Sequence, residues 1–428
     1  MRISNRTRSL LPLLAGTLLF LTACSSTPTT QVYSVPEGDW KARITSQEKD
    51  GIKVSAAVPS AKESQEIFGN PLYKQGIQPV WLEISNNRER RVSFLPVGLD
   101  PQYFTPLEVA NNELKDKDKA DPASLVDEFF LNQGIGALEV KPGQTRSGFV
   151  FSKLDEGTKA FNVDVVGGAG ESGVTDFETF TFFIPVPGLN IDHYNVDWEN
   201  IYADDEWVDL DKDQLIEIVE QVTCCVTDKK GEGSGDPLNL VVIGHPDDIY
   251  TAFIRAEWDE TETVTKASTM KTIGSFLSGG EYRYSPVSGL YVFGRPQDIA
   301  FQKARENIHE RNHLRLWMSR ARFEGVPVFM GQISRDIGVR FTAKTITTHK
   351  IDPNVDETRE GLLENLAYSQ SLEKFAYVGG VGEVSMDQPK GNLTGDPWFT
   401  DGYRIVLWVT SEPVSIDDID FIEWRMPH

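Results

Sequence analysis

The sequence predicts two domains of different class, an N-terminal all-β immunoglobulin-like sandwich and a C-terminal α+β domain. Three observations predict this. From about residue 50 to 187, apolar residues alternate in short runs separated by turn signals, the pattern of strands with one buried face. Beyond about 205, strand-like runs interleave with helical apolar stripes. The length of 428 residues makes two domains the natural division.

The composition bounds the classes of function. A chain with 39% hydrophobic and 25% charged residues is globular. Its formal net charge of −22 repels phosphate backbones, so no nucleic-acid partner is expected. The same charge opposes broad electrostatic attraction to anionic lipid.

The chain opens with Arg2, Arg6 and Arg8, followed by an apolar run from Leu10 to Leu21. That run is too short and wrongly flanked for a permanent membrane span and reads as a signal segment. Losing its three arginines takes the net charge from −22 to −25. Leu21-Thr22-Ala23-Cys24 resembles a bacterial lipobox. The resemblance implies removal of residues 1–23, a diacylglyceryl group on the Cys24 sulfur and an acyl chain such as palmitate on its amine. Two or three acyl chains anchor a protein stably to a membrane. Ser25, in place of an aspartate, implies the outer membrane facing the periplasm. Residues 24–45 then hold the lipidated cysteine and a flexible tether, small and polar over Ser25 to Thr30.

Residues 46–190 form the expected sandwich. Gly51 to Ala56, Pro79 to Ile84, Gly148 to Phe151, Phe161 to Val165 and Phe180 to Ile184 each read as a strand, and Asn86-Asn87 as a turn. A helical insertion over about 100–135 interrupts them. Asp121-Pro122 begins a helix there, with Leu125, Val126, Phe129 and Phe130 on its apolar face. This domain reads as a spacer or binding module.

The expected second domain covers residues 205–428. Asp209, Asp211, Asp213 and Glu220 have the spacing of an EF-hand loop, but Gln214 stands where the turn glycine belongs. An amphipathic helix capped by Asp211, with Leu215, Ile218, Val219 and Val222 inward, is expected instead. Cys224 and Cys225 are adjacent, a spacing that rarely bridges without strain, so buried free thiols are expected.

Leu238 to Gly244 reads as a buried strand and Asp247 to Trp258 as a helix. Between them, His245-Pro246-Asp247-Asp248 resembles the zinc-binding opening of LmbE-like deacetylases. Ile249 replaces that motif's glutamate and no His-x-Asp-His follows, so the segment reads as a helix start. Alternation puts His313, Arg315 and Trp317 on one strand face, with Gly325 to Gln332 as the partner strand. Val339 to Thr347 reads as a strand handing over to a helix with Asp352 as N-cap and Pro353 first. Val355, Leu362, Leu363, Leu366 and Ala367 form that helix's stripe, and Asp356 pairs with Arg359 or another cation. A shared polar face is expected to hold Arg295, Asp298, His313, Arg315, Asp336, His349, Asp352 and Asp356.

Five stretches taken together resemble a known family. They are Asn239 to Gly244, Gly294 to Gln302, His313 to Trp317, Gly331 to Gly338 and Thr348 to Arg359. Their order is similar to the LssY C-terminal domain, over residues about 235–410. The family's signature positions fall on Arg295, Asp298, His313, Arg315, Trp317, Asp336, His349, Asp352, Asp356 and Arg359. Relatives are often joined to membrane domains of the DedA or phosphatidic-acid-phosphatase type. The resemblance supplies candidate residues and no mechanism.

Two readings of function follow. The first is a non-enzymatic envelope lipoprotein, held on the membrane by its lipid, that binds an envelope protein or a lipid or glycan. The second is a hydrolase acting on a phosphorylated lipid or glycan. In it, His313 or His349 is the acid/base, Asp298, Asp336 and Asp356 are orienters or metal ligands, and Arg295 and Arg315 are anion clamps. No cofactor motif is present and no cofactor is expected; metal content is left open.

Overall fold

The computed structural model describes residues 39–115, 123–169, 175–263, 268, 283–304, 311–340 and 348–425. These residues belong to one compact unit. The lipobox and Cys24 lie outside them. The chain is β-rich, with several sheets and few helices. No helix among the described residues is long and apolar enough to cross a membrane.

The first part is built on strands β1 (Thr45–Lys49), β2 (Ile52–Ala57), β3 (Ile77–Asn86), β4 (Val92–Leu95), β5 (Glu139–Val140), β6 (Thr145–Lys153), β7 (Thr158–Ala169) and β8 (Thr175–Pro185). They make two antiparallel sheets, in the orders β1-β2-β3-β6 and β5-β4-β7-β8. Alternation along each strand sends one set of side chains inward. Val54, Leu82 and Ile84 of one sheet meet Phe94, Phe161, Val163 and Phe180 of the other in a single core.

Three helices decorate these sheets: α1 (Ala61–Phe68), α2 (Pro106–Lys115) and α3 (Ala123–Gln133). α1 is fixed by a capping box, in which Ser60 Oγ accepts from Glu63 N at 3.2 Å and Glu63 Oε2 from Ser60 N at 2.7 Å. The insertion thus holds two helices where one was expected. The signal for α2 was present in Thr105-Pro106-Leu107-Glu108, whose threonine and glutamate cap each other's backbone. In α3, Phe130 is buried and Phe129 half-exposed; the side chains of Leu125 and Val126 lie outside the described residues. Phe130 stacks on Phe68 and meets Phe151 edge-on.

The second part contains β9 (Val208–Leu210), α4 (Lys212–Gln221), β10 (Leu240–Ile243), α5 (Pro246–Arg255), β11 (Asp259–Glu260), β12 (Tyr291–Val292), β13 (Arg295–Pro296), β14 (Ile299–Ala304), β15 (Arg311–Phe323), β16 (Val326–Arg340) and β17 (Thr348–Ile351). It continues with α6 (Val355–Tyr368), β18 (Leu372–Val378), β19 (Lys390–Gly391), β20 (Pro397–Trp398), β21 (Arg404–Val409) and β22 (Asp420–Ile422). Ten of these strands share one sheet, in the order β11-β14-β15-β16-β10-β21-β18-β22, with β17 on β16 and β9 on β15. β10 runs parallel to β21, between antiparallel neighbours.

Helices α5 and α6 bury Ile249, Phe253, Leu362 and Leu366 against Leu314, Leu316 and Phe329 on one face of this sheet. On the other face, α4 buries Leu215, Ile216 and Val219 against Val241, Val328 and Val406. As expected, α4 is a continuous helix capped by Asp211. Its inward stripe differs from expectation, since Ile218 is 41% exposed and Ile216 takes its place.

Three further expectations are corrected. α6 starts two residues later than expected, because the Asp352 carboxylate is used in the preceding turn. It accepts from Asn354 N at 3.0 Å, and Asn354 becomes the N-cap. The strand expected over Val339 to Thr347 is in part the end of β16; residues 341–347 lie outside the described residues, and the strand entering the helix is β17. Cys224 and Cys225, expected as free thiols, form a disulfide. The backbone on both sides of the pair is clamped by Arg404. This fully buried side chain donates to the carbonyls of Val219, Val222, Thr223, Leu238 and Gly380. Gly380 sits at φ +110°, and a Cβ there would press on the Arg404 guanidinium and lie 2.8 Å from the Glu220 carbonyl oxygen.

Candidate functional site

β15 carries a buried polar row on the sheet face opposite Leu314 and Leu316. Alternation places Arg311, His313, Arg315 and Trp317 on that row. Antiparallel pairing sets Ser334 beside His313 and Gln332 beside Arg315 from β16, and Gln302 beside His313 from β14. All but Trp317, which packs against Val226, Leu238 and Val292, join one polar layer.

His313 Nε2 lies 2.6 Å from Asp336 Oδ2. Burial pulls the His313 pKa down to about 4, against the opposing pull of Asp336, and Arg311 and Arg315 add to the lowering. The imidazole is therefore neutral at pH 7, and the tautomer that suits the contact donates from Nε2. Arg311 lies 3.9 Å from the same carboxylate oxygen and donates to Gln302 Oε1. Arg315 donates to Gln332 Oε1 at 3.0 Å. Burial lowers the pKa of both arginines, Arg311 to about 10. The Nε of each finds no hydrogen-bond partner among the described residues. Asp236 lies close enough to feel Arg315; burial raises its pKa, while a 2.9 Å hydrogen bond from Asn392 opposes the rise.

The other candidates sit in separate networks. Arg295 grips Asp298 at two points, 2.9 and 2.8 Å, and donates to Tyr202 Oη at 2.7 Å and to the Met318 carbonyl. Asp298 in turn accepts from Met318 N at 2.7 Å. This network locks the turn before β14 to β15 at Met318. Met318 is five residues from His313, about 17 Å along a strand.

Arg359, only 2% exposed, forms the third network. It donates to both oxygens of Asp401, at 3.0 and 2.9 Å, to Glu360 at 2.9 Å and to the Tyr403 carbonyl at 2.8 Å. Asp356 lies 3.3 Å from Arg359, as expected, and accepts from Thr400 Oγ1 and Asp401 N. Asp352 caps its turn. His349 pairs through its backbone with Val339; its side chain lies outside the described residues.

The structure thus brings His313, Arg315 and Asp336 together, pairs Arg295 with Asp298 and Asp356 with Arg359, and leaves Asp352 apart. Sequence reasoning omitted Arg311, Gln302, Gln332, Asp236 and Asp401. Strand alternation carried the signal for Arg311, two residues before His313. Asp401 gave no local signal. Among the described residues, no three His, Cys, Asp or Glu side chains gather so as to hold a metal ion.

A second concave feature lies elsewhere. A cleft of about 430 Å³ opens between the β6–β7 turn, the Pro96–Gly98 turn, the α5–β11 turn and the end of α6. Its walls carry Asp164, Arg255, Asp259, Arg283 and Lys303 among others. Burial raises the Asp259 pKa to about 7, against the opposing charge of Arg283 at 3.1 Å. Burial also lowers Arg255 to about 10, while its two Nη atoms donate to the Ser411 and Ser369 carbonyls.

No curated protein matches the chain. Residues 216–403 match the family described as LssY C-terminus. The match begins inside α4 and ends at the edge of β21, so it spans the polar row and most of the ten-stranded sheet. This part of the chain belongs to the LssY C-terminus family.

Proposed function

We propose that the protein is a bacterial envelope lipoprotein that binds a component of the envelope and performs no chemistry of its own. Cys24 carries the lipid and holds the protein on the outer membrane, facing the periplasm. The first part is an immunoglobulin-like sandwich, and the second is an α+β domain that contains the LssY C-terminal region. One observation carries the choice of binding over catalysis. The candidate acids, bases and arginines divide among three networks, and those of Arg295 and Arg359 are closed by their own partners. His313, Asp336 and Arg315 do meet, but none is more than 7% exposed, and a hydrolytic site must present its acid/base, orienter and anion clamp to one reacting atom.

The hydrolase reading is supported by a different observation. His313 and Asp336 are in contact beside two buried guanidinium groups whose Nε atoms lack hydrogen-bond partners among the described residues. Two measurements on the full chain test these readings. Metabolic labelling with an alkyne fatty acid should mark the wild type and not Cys24→Ala, which should leave the membrane fraction; equal labelling of both would overturn the anchor. Incubation with phosphorylated lipids and glycans should release no phosphate. Release that is lost in His313→Gln at an unchanged melting temperature would overturn the binding reading.

A further inference from the structure

Among the described residues before 190, every exposed large apolar side chain but Phe177 lies between Leu95 and Leu138. Three of them belong to the helix pair α2–α3. Leu107 is 46% exposed, Phe129 36% and Leu131 50%. They sit towards the end of the pair where α2 begins and α3 finishes. The two helices meet closely there, since a Cβ on Gly134 would lie 2.8 Å from Cγ of Pro106. Val109, Ala110 and Phe130 turn inward and are buried in the cluster around Phe68 and Phe149. A helix sets Phe129 and Leu131 about 100° to either side of the buried Phe130, and both remain uncovered.

The same cluster is where the N-terminal segment enters the fold. Trp40, in the first described turn, packs on Phe149 at 5.7 Å, Phe149 on Phe68 at 5.2 Å, and Phe68 on Phe129 at 6.3 Å. The 15 residues from Cys24 to Gly38 span at most about 50 Å, whatever their conformation. With Cys24 acylated, the entry point of the fold and the helix pair beside it are therefore kept near the lipid. Three half-exposed apolar side chains would hold a free protein to a bilayer only weakly. A tethered face meets that surface at high effective concentration, so the same contact suffices. Its character is apolar and not ionic, because Glu108, Asp127 and Glu128 flank it and repel anionic head groups.

We infer that the α2–α3 end of the first part, through Leu107, Phe129 and Leu131, docks on the bilayer to which Cys24 is attached, with zwitterionic lipid as its partner. The inference rests on the anchored reading above and adds the face that meets the membrane.

The test uses the full lipidated chain in phosphatidylcholine vesicles. Leu131→Cys is labelled with nitrobenzoxadiazole without reductant, which leaves the Cys224–Cys225 bridge closed. Ile218→Cys, on α4 of the second part, is the control. Both native side chains are exposed, so folding is not at stake. Bromine on the acyl chains should quench the dye at position 131 by about half or more, as for a side chain 5–10 Å into the interface, and leave the dye at 218 unchanged. Equal quenching at both positions, or none at 131 in vesicles that carry the protein, overturns the face and leaves the anchor standing. Efficient oxidative cross-linking of unlabelled Leu131→Cys between two copies, absent for Ile218→Cys, overturns it in favour of a second copy as the occupant. Failure of the wild type to float with the vesicles overturns the anchor, and the face with it.

Discussion

Arg359 and Asp401 form a two-point ion pair across 42 residues of sequence, Nη1 to Oδ1 at 3.0 Å and Nη2 to Oδ2 at 2.9 Å. Burial would raise the Asp401 pKa, but the hydrogen bonds from Arg359 outweigh it and hold the carboxyl below its ordinary range. Arg359 is buried, whereas Asp401 is 28% exposed, so removing the guanidinium leaves a partly hydrated carboxylate. Arg359→Ala should therefore lower the unfolding free energy by about 2–3 kcal/mol, the range of hydrogen bonds to charged groups. Arg359→Lys should recover only part of that, because an ammonium lacks the planar fork. Urea denaturation measures both; a loss in Arg359→Ala below about 1 kcal/mol, the range of exposed pairs, would refute the structural role.

His313 gives a second prediction, in pH. The folded chain protonates it near pH 4, the unfolded chain near its ordinary 6.5. Between those values the unfolded state binds the extra proton. The contribution of His313 to stability is therefore complete above pH 6.5 and lost as the pH falls to 4, on the order of 3 kcal/mol. His313→Gln should flatten this part of the stability profile. A profile with the same acid slope in variant and wild type would count against it.

Asp259 should act in the opposite direction. Its folded pKa of about 7 lies above the ordinary 3.8. Between the two, the folded state keeps a proton that the unfolded state has released, so raising the pH from 4 to 7 costs stability. Asp259→Asn should remove that decline and raise stability at pH 8 relative to pH 4, compared with wild type. Denaturation of the two proteins at both pH values decides; equal pH dependence would exclude a raised carboxyl at this position.

The Cys224–Cys225 bridge predicts a chemical behaviour. Without reductant, the peptide carrying both cysteines should resist alkylation and be about two mass units lighter than its dithiol. With reductant, both sulfurs should take the label. Full labelling of the native protein in the absence of reductant would show the thiols to be free.

Much of the strand framework was legible because it rests on local alternation. β2, β3, β6, β7 and β8 each contain a run read as a strand, and α5 begins at Pro246 as its sequence implied. The start of α6 was expected too early for a physical reason. Asp352 is a good cap by residue type, and only the turn geometry shows that it is spent on Asn354 N. The candidate site was legible along β15, where period-two spacing groups Arg311, His313 and Arg315. It was illegible where partners are distant in sequence, as for Asp401 and Arg359. Composition alone could not divide the polar residues into three networks, because it does not fix which loop returns to which strand.

The place of β21 has a consequence for the order of events as the chain is made. β21 lies between β10 and β18, in the middle of the sheet, and its first residue, Arg404, reaches the Leu238 carbonyl across 166 residues. A growing chain therefore presents β10 long before, and β18 shortly before, the strand that joins them exists. Their facing edges stay unsatisfied until β21 emerges, and contacts as remote in sequence as those of β10 close slowly. A chain released before Arg404 would keep those edges and expose them to other chains.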